Sequence, residues 1–364
     1  MASGKELKKL VPDFDVTIEG KKLEGKDKNL VQDVVVDMAI NAPDMFHVTF
    51  NNNTKANQGQ WIDSQAREGV KVRIDMGYQG EVKTLLNGEV TGHEAQFYED
   101  QPTLYTIRGF DFLHRLTRGR FTRSWQNMKD SGIASEVIKP YGLSPGTIED
   151  TPQLEYIFIN NDSYFNFLRE RASRYNFEID VDEQKKFNFR KPKNAESEVV
   201  TLRWEEDLMV FEPRLSTVHQ VSKVVCKGWD PKTKKEIIGK SETAAATMGG
   251  SKDGSALVKA TWEVVETVIV DKPIYTQEEA DKIAAGKLYD RQLDLITGQA
   301  TAKGDPDLKA GTVVKIENVG ERYSGTYYVT NALHMFHNGG YTTTFNFRRS
   351  GIGDGAGKVA EVVG

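Results

Sequence analysis

Gly69-Val70-Lys71-Val72-Arg73-Ile74-Asp75 is echoed, residue type by residue type, by Gly311-Thr312-Val313-Val314-Lys315-Ile316-Glu317. Each run opens on glycine, passes through β-branched and basic residues, and closes on isoleucine and an acid. The likeness continues downstream in the same order. Gly88-Glu89-Val90-Thr91 faces Tyr327-Tyr328-Val329-Thr330, Phe97 faces Phe336, and Tyr105-Thr106-Ile107 faces roughly Tyr341-Thr342-Thr343, all about 240 residues apart. One short strand with a glycine turn resembles any other, but several in one order mark a duplication. The spacing far exceeds the roughly 20–50 residues of a solenoid repeat, so it predicts two similar β-barrels flanking an inserted middle region. Three such chains would set six barrels in a ring of approximate six-fold symmetry while the rest of the assembly kept three-fold symmetry.

Outward from the repeat, most segments alternate apolar and polar residues with period two, the mark of half-buried strands. They include Val34 to Ile40, Phe46 to Phe50, Val221 to Cys226, Val264 to Val270 and Tyr341 to Phe347. Three segments have helical spacing instead. Ile133, Ala134, Val137 and Ile138 follow the N-cap candidates Asp130 and Ser131 and stop at Lys139-Pro140. Tyr164, Phe165, Phe167, Leu168, Ala172 and Tyr175 form an apolar stripe backed by arginines. Thr276 to Glu279 is a capping box leading into Ala280, Ile283, Ala284 and Leu288. The stretch from Ser241 to Ser255, rich in Ala, Thr, Gly and Ser, predicts an exposed loop. The fold class is therefore mainly β with an α+β insertion. The expected division is a first β-barrel over 1–118, an inserted α/β region with two helices over 119–200, a second β-barrel with a surface loop and one helix over 201–350, and a Gly-rich tail over 351–364.

The 364 residues carry 48 Lys+Arg against 53 Asp+Glu, a net charge of −5 that supplies no global phosphate-binding excess. The single cysteine, Cys226, forms no intramolecular disulfide and makes no thiolate zinc site alone. Its strand-like setting suits a small buried hydrophobe. No apolar run has the length of a membrane span, and the polar opening Met1 to Lys5 lacks the order of an export signal. His334 and His337, three apart on a strand, point to opposite faces and cannot readily share a metal. HExxH, P-loop, GxSxG and GxGxxG signatures are missing. Acids such as Glu205, Glu206 and Asp207 are too common to single out a glycosidase pair. One strongly basic stretch, Arg115, Arg118, Arg120 and Arg123 with Trp125, suits an interface better than single-stranded nucleic acid, because Arg and Trp are enriched at protein contacts.

Several runs resemble one family. Ile107 to Arg120, with its Gly109-Phe110-Asp111-Phe112-Leu113 core, resembles the end of the first barrel of the phage late control protein D and VgrG N-terminal family. Asn161 to Leu168 followed by Phe177-Glu178-Ile179 is similar to its inserted segment, and Phe211 to Leu215 with Val221 to Gly228 to the opening of its second barrel. Phe345 to Gly353 resembles the point where VgrG-type chains leave the hub for the spike. The resemblance implies a structural, non-enzymatic hub without cofactor or metal: a homotrimer at the centre of a contractile-tail or injection-system baseplate, adapting a hexameric tube to a trimeric spike. Implied partners are a second and third copy of the chain, the spike protein, the first tail-tube ring or a tube initiator, and other baseplate proteins. Membrane insertion and direct nucleic-acid binding are not expected. The implied location is an assembled particle built from protein made in the bacterial cytoplasm. VgrG-like chains continue beyond the Ser-Gly-Ile-Gly segment, so the spike is expected to be a separate polypeptide. Candidate spike contacts are Arg348, Arg349, Ser350 and Gly351, and candidate subunit or tube contacts are the basic stretch Arg115, Arg118, Arg120, Arg123 and Trp125. The rival readings are a cell-wall hydrolase at a tail tip and a β-barrel that binds nucleic acid or glycan.

Overall fold

The computed structural model describes residues 11–52, 65–242, 248–250, 252–271 and 273–353. Twelve strands, numbered here in chain order, make two sheets of six. The first holds β1 (Pro12–Ile18), β2 (Val31–Ala39), β3 (Met45–Asn52), β4 (Lys71–Tyr78), β5 (Glu81–Gln96) and β6 (Thr103–Asp111). The second holds β7 (Val200–Arg203), β8 (Leu208–Leu215), β9 (Ile296–Lys303), β10 (Val313–Glu317), β11 (Gly325–His337) and β12 (Gly340–Arg349). The spatial orders are β2-β3-β6-β5-β4-β1 and β8-β9-β12-β11-β10-β7, the same order six labels on.

The duplication extends to single hydrogen bonds. Gly69 N–H donates to the Val90 carbonyl at 2.8 Å and Val90 N–H to that of Val70 at 2.9 Å; Gly311 to Val329 and Val329 to Thr312 repeat both lengths. Gly69 and Gly311 take φ of 83° and 78°, where a side chain is strained and glycine is not. The register of β5 on β6 shifts between Val90 and Gly92, and that of β11 on β12 between Val329 and Asn331. Register also shifts between Val31 and Asp33 on β2 and between Leu208 and Val210 on β8. Bulges inserted at matching places bend matching strands. They also fix the pairing of the last copied segment. Ala95 opposes Tyr105 as His334 opposes Thr343, so Tyr105 corresponds to Thr343, two residues beyond the alignment suggested by the sequence. The copies differ in one strand: β1 is antiparallel to β4, whereas β7 is parallel to β10.

Each sheet curls around its own apolar core. Phe14 and Val16 of β1 share a cluster with Val34 and Val36 of β2, although these strands end opposite sides of the strand order. Leu202, Leu208, Ile296, Val314, Tyr327, Phe345 and Phe347 form the second core. The single turn α1 (Gly25–Asn29) lies between β1 and β2, and its Lys28 reaches Asp13 at 2.7 Å and Asp15 at 3.2 Å.

Between the sheets in sequence lie α2 (Asp130–Val137), α3 (Tyr164–Arg174), the strand pair Phe121–Lys129 with Gln153–Asp162, and a three-stranded sheet of Ser144–Ile148, Glu178–Val181 and Lys186–Arg190. Ser163 caps α3 through the Asn166 N–H at 3.2 Å, and Thr276 caps the last long helix through the Glu279 N–H at 3.1 Å. α4 (Gly254–Trp262) and α5 (Gln277–Leu293) follow. Val221, Val224, Cys226, Ile237, Ile274, Ile283 and Leu288 pack into the middle core with Ile133, Phe167 and Phe187 rather than into the second sheet. Buried Arg174 on α3 pairs with buried Glu279 on α5 to join the two halves of that layer.

The stretch expected as an exposed loop departs from expectation in its described residues. Residues 243–247 and 251 lie outside them. Met248 is buried with its N–H on Ser350 Oγ at 2.7 Å, Lys252–Asp253 pairs with Gly351–Ile352, and α4 starts at Gly254, capped by Asp253. The reason is Gly249, where a Cβ would fall 2.4 Å from Arg349 Nε and 2.6 Å from the Thr326 carbonyl. Only a residue without a side chain lets the segment lie this close to the sheet.

The two glycine corners do the same work, so they should fail alike. Gly69→Ala and Gly311→Ala should each cost about 1–2 kcal/mol, read as a lower urea midpoint at unchanged m-value.

Candidate functional site

The two sheets are joined through backbone. β11 pairs with β10 from Gly325 to Tyr328, changes register at Thr330, and then pairs with β2 from Asn331↔Ala39 to His337↔Asp33. Asn331 Nδ2 donates across this junction to Asp37 Oδ1 at 2.7 Å and to the Met38 carbonyl at 2.9 Å. Phe336 sets its ring 4.6 Å from that of Phe14. The twelve strands of the two copies and the short Lys21–Lys22 strand thereby form one continuous thirteen-stranded sheet. Its free margins among the described residues include the outer half of β5 and the outer edge of β8 beyond Leu208, which is bridged to Trp204. Large apolar side chains stand exposed beside both: Phe97 (72%) and Tyr98 by β5, Met209 and Val210 on β8.

Behind the junction a cavity of about 540 Å³ separates the sheets from the middle layer, lined by Asp44, Asp111, Asp180, Arg190 and Lys309 among others. Burial raises the Asp44 carboxyl to about 7; Asp180 and Asp37 add to the rise, and the Ala39 N–H and Lys309 oppose it. Burial and then Asp44 push Asp111 well above the usual carboxylate range. Burial likewise raises Glu178 to about 7, although it accepts the Tyr328 hydroxyl at 2.6 Å. Cations answer at the rim: Arg190 holds Asp180 at 2.8 Å, and Lys309 pairs with Glu183 and donates to the Thr84 carbonyl. Asn41 Oδ1 accepts the Ile179 N–H, and Asn87 donates to the Glu183 carbonyl. These bonds tie the first sheet, the middle layer and the second sheet together, so the arrangement fixes relative positions.

The spike-contact candidates are held within the chain. Arg349 is fully buried, 5.1 Å over the Tyr327 ring, and donates to the carbonyls of Ser324, Tyr323 and Gly249. Arg348 binds Asp290 at 2.9 Å and Asp294 at 3.1 Å. Ser350 is buried, and Gly351 pairs with Asp253. In the basic stretch, Trp125 is buried against Phe167 and donates to Glu136, which also binds Arg123. Arg115 is clamped to Glu89 and the Tyr141 carbonyl, Arg120 donates to the Asn161 carbonyl, and Arg118 is exposed. His334 is buried, His337 is exposed, and Cys226 is buried. The acids of the cavity carry no signal in sequence, since Asp44, Asp111 and Asp180 meet only through the fold. Phe97 was marked there by its alignment with Phe336.

Solved structures with this architecture include the 43 kDa tail protein of prophage MuSo2 from Shewanella oneidensis, 15% identical at a TM-score of 0.69, covering 93% of this chain and 98% of that one. The tail protein from Neisseria meningitidis MC58 is 14% identical at 0.67, covering 94% and 98%. An Escherichia coli component of the type VI secretion system, described as similar in structure to the T4 tail proteins gp27 and gp5, is 13% identical at 0.58, covering 93% and 78%. The fold is thus that of the tail and baseplate-hub proteins, as the sequence resemblance implied. The chain belongs to the family described as the Alg8 N-terminal domain, whose model matches residues 8–338. The comparison with curated proteins found no match.

Two substitutions test the buried charges. Asp44 keeps its proton in the folded state up to about pH 7 but loses it near pH 4 when unfolded. Its contribution to stability is therefore fully present below about pH 4 and lost as pH rises through 7. Asp44→Asn, which keeps the acceptor for Ala39, should match the parent at pH 4 and exceed it at pH 8 by up to about 4 kcal/mol in denaturant titrations. Arg349→Ala leaves several buried carbonyls unpaired and a cavity under Tyr327. It should cost on the order of 3 kcal/mol, visible as a lower thermal midpoint.

Proposed function

We propose that the chain is the structural hub of a contractile-tail or injection-system baseplate: a homotrimer whose six sheets ring a central channel, meeting the hexameric tube on one side and the trimeric spike on the other. The observation that carries this reading is the duplicated six-stranded sheet, alike in strand order, in two matched bulges and in the corner hydrogen bonds, with its two copies joined edge to edge. Two equivalent units in one chain let three chains present six equivalent surfaces to a six-fold partner. The fold shared with tail and type VI secretion proteins supports the same reading. The work is mechanical, and the acid-lined cavity and buried arginine pairs suit a rigid body that transmits force. Partners in this reading are the first tube ring, the spike protein and neighbouring baseplate proteins, in an assembled particle. The exit of the chain from β12 at Ser350 to Gly353 is placed on the spike side, with the spike touching this backbone rather than the engaged Arg348 and Arg349.

Light scattering on the purified protein, across a concentration series and then with candidate tube and spike proteins, tests the reading. Three times the chain mass of 40.9 kDa is expected, alone or once the spike is added. A protein that stays monomeric with both partners overturns it.

A further inference from the structure

We infer that the outer half of β5 of one copy adds to the free edge of β8 of the next, in the register that joins β11 to β2 within the chain. The partner is a second copy, and the internal junction is the template. β5 is the counterpart of β11, and β8 of β2, because the pairings and bulges of the two sheets coincide. Carrying the junction across sets Glu94 opposite Arg214, as Leu333 stands opposite Asp37, and Phe97 opposite Phe211, as Phe336 stands opposite Val34.

Three observations make the bare edges fit each other. Glu94, which Arg108 of its own chain binds at 2.7 Å, falls in this register directly across from exposed Arg214, of opposite charge. Phe336 is covered at the internal junction by Phe14, whereas its counterpart Phe97 meets only the Tyr105 ring edge-on and stays largely exposed. The place of Phe14 in the second sheet falls to exposed Trp204, just past β7, ready to receive the Phe97 ring. The backbone is also aimed correctly. Ser216 N–H points inward to the Leu295 carbonyl, so the alternate residues Leu215, Pro213 and Phe211 point their main chain to the free edge. Pro213 lacks an N–H there, which leaves this ladder one donor short and makes the edge a poor template for unrelated strands.

The two edges differ, so the contact is heterologous and closes only as a ring. That the ring closes at three copies rests on the hub reading above; the pairing of β5 with β8 does not.

Glu94 and Arg214 would form a non-hydrogen-bonded pair with Cα atoms about 4.5 Å apart, within disulfide reach. The full-length double variant Glu94→Cys/Arg214→Cys, mildly oxidised, is expected to give covalent dimers and trimers and nothing larger on a denaturing gel, while each single variant stays uncross-linked. Phe97→Asp, on an exposed site, is expected to lower the assembled fraction at least tenfold with an unchanged thermal midpoint of the monomer. Cross-linked rings of another size support the pairing and overturn three-fold closure. A trimer by mass in which the double variant forms no cross-link and Phe97→Asp assembles normally overturns the pairing and leaves the hub reading standing.

Discussion

Strand β11 serves two sheets because it changes partner at Thr330. Before the bulge its free side pairs with β10 and closes the second sheet; after it, the same side pairs with β2 and opens onto the first. A straight strand would carry β10 along its whole length and leave β2 without a neighbour. The bulge adds twist and bend at one residue, and the Gly311 corner returns β10 at the place where its ladder must end. The middle layer is tied to β11 by the Tyr328 hydroxyl, which donates to Glu178, itself 3.6 Å from Arg190.

The copies have diverged where their surroundings differ. Asn331 spans the internal junction, while its counterpart Gly92 has no side chain to do so. β1 enters its sheet antiparallel, and β7, which follows the middle layer in sequence, enters parallel. The strand order survives this reversal, since β10 offers the same edge of hydrogen-bonding groups to either direction.

The features legible in sequence are those that depend on neighbours along the chain. Period-two alternation gave β2, β3 and β12 to within about three residues of their limits, and Thr276 announced its helix because a cap and its amide lie within four residues. Glycine at Gly69 and Gly311 was readable because the corner is local. The structure around Arg349 was not, since its partners come from Gly249, Tyr323 and Ser324, and an arginine beside another arginine at a strand end reads as surface. Trp125 misled for a similar reason: its neighbours in sequence are charged, while Phe167, which buries it, lies on a different element. The helix α4 was hidden in a stretch of small residues, where composition points to a loop and only Asp253 marks the start. The acids of the cavity are invisible until three segments are brought together.

The β11·β2 joint also shapes how the protein is made. Asp33 meets His337, so β2 waits for a neighbour that is translated about 300 residues later. At a synthesis rate of about 5–20 residues per second, the first sheet can be complete for roughly 10–50 s while β2 still has an unpaired side. During that interval the nascent chain carries an exposed β-edge with apolar neighbours, the kind of surface that pairs with the wrong strand. Contacts of such long sequence separation also slow folding. A protein that folds in two halves and seals them last depends on whatever shields that edge in the cell, which makes its biogenesis more demanding than its finished stability suggests.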